Sequence, residues 1–240
     1  MLLAVGLSAG FGVLWLLLFN GQKTLAYYLA SQPVLSISPG EVSEQPRAEE
    51  IVLPFPVPGT CLVAEQIVLY EGPFLEPGST QETIQTAALL LRNTGEFGVE
   101  SARVILEAGA VKLVFEADMI PAGQAVLVME KDRGEYGPQK FTSCTGWAVC
   151  GQGSWSREEL LEIQSVDMGA VVITNQTDRV LTDIQLYYKN YLPEPGFYVG
   201  GHTFIYLVER LEASQTICIY PSYYANGYSG FVRVEVREIQ

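Results

Sequence analysis

The feature that most constrains this chain is an internal repeat. Ala88–Glu107 (ALLLRNTGEFGVESARVILE) aligns without a gap on Ala170–Lys189 (AVVITNQTDRVLTDIQLYYK). Asn93 falls on Asn175, Val99 on Leu181 and Val104 on Leu186. The match resumes where Phe115–Met129 overlays Tyr206–Tyr220, with Ile120 on Leu211, Ala122 on Ala213 and Gln124 on Gln215. A chain that repeats its apolar and turn positions in this way is expected to build one unit twice, each with its own core.

The unit reads as β structure. Apolar and polar residues alternate in Ala102–Leu106 and Ile184–Tyr188, the period of a half-buried strand. Ala125–Met129 and Thr216–Tyr220 are nearly continuous apolar runs, which fit strands lining a sandwich core. Asn-Thr-Gly, Asn-Gln-Thr-Asp, Pro-Ala-Gly and Ala-Asn-Gly mark the turns between them. Cys61–Tyr70 and Leu161–Asp167 are expected to lead the two copies, and Phe141–Val149 and Phe231–Arg237 to close them. The expected fold is therefore all-β: two tandem antiparallel sandwiches over residues 61–152 and 153–240. Ser156-Arg157-Glu158-Glu159 has the form of a capping box and predicts one helical turn at the junction.

Several of these residues carry a family resemblance. An apolar strand runs into Asn93-Thr94-Gly95 or Asn175-Gln176-Thr177, and a second strand ends near Tyr187-Tyr188-Lys189. A turn of the form Ile120-Pro121-Ala122-Gly123-Gln124 then follows. The pattern resembles the small immunoglobulin-like sandwiches of bacterial cell-envelope proteins, the FxLYD-type domains in particular. The resemblance covers the two repeat cores. It implies an Ig-like fold and a non-enzymatic module.

The N-terminal part is of another kind. Leu2–Phe19 holds no charged side chain, and 18 residues at about 1.5 Å each nearly span a hydrocarbon core of about 30 Å. Tyr27 and Tyr28 suit the membrane interface. A cleaved signal peptide is the rival reading, but Tyr28 occupies a position where a cleavage site ending at Ala30 needs a small side chain. The expectation is a single-pass anchor over residues 1–30 that meets the bilayer through residues 2–19. The later domains are placed outside the membrane, since long domains translocate largely regardless of charge. Gly6 and Gly10 form a small-xxx-small pair that chance explains as well as helix association. Residues 31–60 carry prolines at 33, 39, 46, 54, 56 and 58 and read as a semi-rigid stalk. Its apolar end, Ile51–Pro58, suits packing against the first sandwich.

Composition narrows the function classes. With 14 Lys+Arg against 27 Asp+Glu, the net charge is −13. Such a surface repels phosphate backbones, which argues against nucleic acid as a partner. No calcium-loop pattern is present, and no C-x-x-C pair supports zinc, so no cofactor or metal is expected. The lone histidine, His202, has no nucleophile elbow to serve and reads as a solvent-facing residue after Gly200-Gly201. No enzyme is expected.

The cysteines sort by the repeat. Cys218 overlays Leu127 and is expected to be a buried thiol in a core strand. Cys61 stands at the first strand of copy one, and Cys144 and Cys150 on its last. One disulfide is expected, joining Cys61 to Cys144 or Cys150, with a local Cys144–Cys150 bridge as the rival. The second copy is rich in tyrosine and has an extra segment, Leu192–Gly201 (LPEPGFYVGG), absent from copy one. Insertions on a shared scaffold often carry function. Tyr191, Phe197, Tyr198, Tyr223 and Tyr224 are accordingly the candidate binding residues, for a cell-wall glycan or an envelope protein. Ordinary half-buried strand packing is the competing explanation for the set. Asn175-Gln176-Thr177 matches a glycosylation sequon, yet it falls where the repeat demands a turn, and turn chemistry accounts for it. The expected function is an extracytoplasmic, membrane-anchored, non-catalytic binding or adhesion module. The alternative is a structural or assembly subunit of a cell-envelope complex.

Overall fold

The computed structural model describes residues 50–73, 82–133, 140–151, 155, 159–166 and 169–239. The expected membrane span, the Gly6/Gly10 pair, most of the stalk and residues 156–158 of the capping box lie outside them. The described chain is all-β. Its strands are β1 (Phe55–Pro56), β2 (Leu62–Pro73), β3 (Glu82–Asn93), β4 (Val99–Ala108), β5 (Val111–Ile120), β6 (Ala125–Met129) and β7 (Ser143–Cys150). They continue with β8 (Leu161–Ser165), β9 (Val171–Asn175), β10 (Leu181–Leu192), β11 (Phe197–Leu211), β12 (Thr216–Ile219) and β13 (Ser229–Ile239).

In the first half, β2-β3-β6 lies opposite β5-β4-β7. Leu89 and Leu91 of β3 and Val126 and Val128 of β6 meet Val104 and Leu106 of β4 and Phe115 of β5 in one buried cluster. In the second half, β8-β9-β12 lies opposite β11-β10-β13, in the same strand order. Ile173, Leu181, Ile184, Leu186 and Leu211 form its core. The apolar end of the stalk belongs to the first half: β1 pairs with β2, and Val57 is fully within the first core, with Ile51, Leu53 and Phe55 packed against it.

The two repeat asparagines explain why each half closes alike. Asn93 Nδ2 donates to the carbonyls of Phe97, Ile120 and Pro121, while its Oδ1 accepts from Gly95 N. Asn175 Nδ2 donates to the carbonyls of Arg179, Leu211 and Glu212, and its Oδ1 accepts from Thr177 N. Each amide thus ties the loop between two strands of opposite sheets to the start of the next turn, a buried polar group with its partners satisfied. Asn175 is buried with its amide nitrogen fully engaged, so the sequon serves the turn.

The halves are not beads on a string. The start of β11 pairs in parallel with β6, Tyr198 opposite Val126 and Val199 opposite Leu127. One seven-stranded sheet, β1-β2-β3-β6-β11-β10-β13, therefore runs through both. Beneath it is a third apolar cluster: Val68, Tyr70, Ala88, Ala125, Leu127 and Met129 from the first half against Leu192, Phe197 and Val199 from the second. Hence β6 is buried on both faces, which is why Ala125–Met129 is apolar without alternation.

A bulge makes this docking possible. Along β10 and β11, Tyr188 pairs with Phe204, but Asn190 pairs with Val199, so Gly200–Thr203 stand against a single residue, Lys189. The chain turns there, with Gly200 at φ 95°, a conformation open to glycine. The bulge takes the carbonyls of Gly200 and Gly201 out of the ladder, and Lys189 Nζ donates to both at 3.2 and 2.9 Å. Lys189 is 0% exposed. Its charge is met by Asp118 of β5, 3.2 Å away in the other half.

Candidate functional site

The candidate residues separate into two places. Tyr191, Phe197 and Tyr198 lie at the tip of the β10–β11 hairpin, and Tyr223 and Tyr224 in the loop before β13. The expectation that Phe197 and Tyr198 form an open binding loop is corrected for Phe197. It is 5% exposed and sits in the cluster that joins the halves. Tyr198 points the other way, packing against the first core and over Gly230 of β13. The insertion is thus a plug whose alternate side chains fill both faces beside β6. Tyr191 lies against Tyr198 at 5.2 Å. Burial, and the neighbouring Tyr191, push the Tyr198 phenol up.

Tyr224 is also inside. It stacks on Phe231 at 5.2 Å, meets Tyr188 edge-on and shares a hydrogen bond with Ser165. Burial pushes its hydroxyl up, against the opposing effect of the Ser165 bond. Tyr188 donates to the carbonyl of Ser222 at 2.7 Å, and burial takes its pKa up to about 12. Only Tyr223 of the five is exposed, leaning on Phe204 at 5.5 Å. No shared aromatic surface for a sugar emerges from this set.

The polar chemistry gathers at the seam. Asp118 accepts a hydrogen bond from Thr203, faces Lys189, and has His202 Nδ1 at 3.6 Å. Burial alone would raise its carboxyl. The hydrogen bond with His202, the charge of Lys189 and the Thr203 hydroxyl outweigh that and hold it below its ordinary value. A second link is Arg233, which donates to Glu100 at 2.8 Å and lies over the ring of Trp155. Trp155 sits so close to Gly98 and Gly151 that a Cβ on either would fall within 2.7 Å of the ring. These contacts tie the two halves together. Among the described residues, no three of His, Cys, Asp and Glu come together as metal ligands.

All four cysteines are thiols. Of the pairings expected, the fold brings together Cys61 and Cys150, whose sulfurs are 3.7 Å apart. Cys144 is in the first core near the other end of β7, and burial raises its pKa to about 11. The expectation for Cys218 is overturned: it is exposed. The tip of the β10–β11 hairpin covers the outer face of β6, and none of the described residues covers that of β12, so the position that Leu127 buries in copy one is exposed in copy two.

Sequence reasoning missed one surface. Thr203, Ile205 and Leu207 share a face of β11, and Thr203 is held by the first half through Asp118. Just beyond that contact, Ile205 and Leu207 are 54% and 64% exposed. Tyr187 and Gln185 lie opposite them on β10, with Arg233 and Glu235 next on β13. Gln185 donates to the Tyr187 hydroxyl and accepts from Arg237 at 2.9 Å, so the polar part of the face is hydrogen-bonded within itself. From Thr203 to Leu211, β11 has a ladder partner on one side only among the described residues. The signal lay in FIYLVERL, where Ile205 and Leu207 alternate with residues that the core already claims.

Comparison with known proteins adds no relative: no family model matches the chain, and no curated protein matches it.

Proposed function

We propose that this protein is a membrane-anchored, extracytoplasmic, non-catalytic binding module made of two Ig-like sandwiches fused into one body, with a protein as its partner. The observation that carries the reading is the aliphatic pair Ile205 and Leu207, exposed on a strand with an open edge beside the seam. An open edge offers backbone donors and acceptors to an incoming strand, and flanking apolar side chains add specificity. Sugars are gripped by exposed aromatic planes, whereas Phe197 and Tyr224 are buried. That removes these two as a platform for a wall glycan, and the aliphatic Ile205 and Leu207 favour a protein as partner. The anchor and the extracytoplasmic location rest on Leu2–Phe19 and its flanks.

Site-directed photocrosslinking in producing cells tests it. A photoreactive residue at Ile205 is expected to give a discrete protein adduct that Leu207→Asp abolishes, while the same probe at Glu162 gives none. Equal labelling at both positions, or retention of the full chain on cell-wall sacculi without a protein adduct, rejects the reading. The assembly-subunit alternative is favoured by one observation, the shared seven-stranded sheet that suits a strut. An adduct that stays stoichiometric through purification would support it.

A further inference from the structure

We propose that Cys61 and Cys150 are a disulfide-forming pair that closes the first half into a covalent loop. Their sulfurs are 3.7 Å apart in the thiol state. Both backbones are held by the same region. Thr94 donates to the Cys61 carbonyl through N and Oγ1, each at 2.9 Å, and Cys150 pairs with Val99 at the end of β7. Gly95 leaves the space: a Cβ there would lie 2.9 Å from that of Cys61 and 3.3 Å from its sulfur. Cys61 precedes β2 and Cys150 ends β7, so the bond would join opposing sheets. To bond, the sulfurs must close from 3.7 Å to about 2.05 Å.

The oxidant is a disulfide, small-molecule or protein-borne. Cys150 is exposed and Cys61 half-buried. The Cys150 thiolate therefore attacks the oxidant first, forming a mixed disulfide and expelling one thiolate. The Cys61 thiolate then attacks the Cys150 sulfur and expels the second. The two protons lost by the cysteines end on the departing thiols, so two thiols and one disulfide become one disulfide and two thiols. Burial and the neighbouring Cys150 raise the Cys61 thiol, in keeping with its role as the second, internal attacker.

The consequence is topological. The bond spans 89 positions and encloses β2 to β7. Beyond the contacts that β1 and Val57 make with the first core, tension between a segment before Cys61 and the second half would have a covalent path through sulfur alongside β2 to β7. This consequence rests on the anchored reading above; the bond itself does not.

The full chain is equilibrated in reduced or oxidised glutathione, its remaining thiols are alkylated, and its peptides are mapped without reduction. The expected product is a Cys61–Cys150 peptide pair lighter by two hydrogens, with Cys144 and Cys218 alkylated. The oxidised protein should melt about 10 °C above the reduced one, and Cys150→Ser should abolish that gain. Four alkylated thiols in oxidised glutathione, a bridge through Cys144 or Cys218, or a gain that survives Cys150→Ser overturns the proposal. A bridge formed in a protein that gives no adduct at Ile205 sinks only the binding reading.

Discussion

Strands β6 and β12 hold the same place in the two halves, each ending a three-stranded arrangement of the same order. Their surroundings differ. The outward residues of β6, Ala125, Leu127 and Met129, are buried under the hairpin tip of the second half. The matching residues, Thr216 and Cys218 of β12 and Tyr220 just after it, are exposed. Thr216 spends its hydroxyl on Thr174 instead, at 3.0 Å. A repeated topology therefore does not repeat an environment. One copy supplies the tip and the other receives it, and only the receiver's strand is apolar on both faces.

The sharpest way to break this comparison is a charge at the shared position. Leu127→Asp should destabilise the full chain by about 4–5 kcal/mol, since an unpaired carboxylate enters an apolar cluster. Cys218→Asp should stay within about 0.5 kcal/mol, as expected of an exposed site. Chemical denaturation of both variants decides it, and equal losses would mean that β6 is no more enclosed than β12. The next test is the tip itself. Phe197→Ala should cost about 3–4 kcal/mol by opening a cavity at the seam. Tyr223→Ala, in the exposed loop, should cost about 1 kcal/mol or less by the same denaturation measurement.

The third test is the polar half of the seam. Asp118→Ala leaves Lys189 buried without its carboxylate and should cost about 3 kcal/mol at neutral pH. Because Asp118 is held below its ordinary value when folded, its contribution is complete above the unfolded value of about 3.9. It disappears as pH falls through the folded value. Denaturation of wild type and variant from pH 7 down to about 2 should therefore converge at the acid end. A constant gap across that range would assign the loss to packing rather than to charge.

Much of the fold was legible because strands and turns are local. Alternation in Ala102–Leu106 and Ile184–Tyr188 announces half-buried strands, and both lie in strands, β4 and β10. The turn asparagines matched each other in sequence and bond alike in space. The candidate site was far less legible. Phe197-Tyr198 followed by Gly200-Gly201 reads equally well as an exposed loop and as a docking strand, because the surface that buries it is contributed by β6, far back in the chain. Cys218 misled for a related reason. The repeat transfers a position's place in its strand, but not what lies across from that strand. A hint did exist in Lys189, which replaces Glu107 of copy one beside the two glycines whose carbonyls it caps.

By itself the sequence determined the all-β class, the duplicated order of strands and turns, the acidic surface and the apolar N-terminal run. Each of these follows from side-chain period, turn chemistry or composition within a few residues. Tertiary structure alone decided that the halves share one sheet, that the aromatic insertion is a plug, that Cys61 meets Cys150 rather than Cys144 and that Ile205 and Leu207 stay uncovered. The reason is that burial depends on which distant surface arrives, and a strand's own residues record its two faces without naming what will cover them.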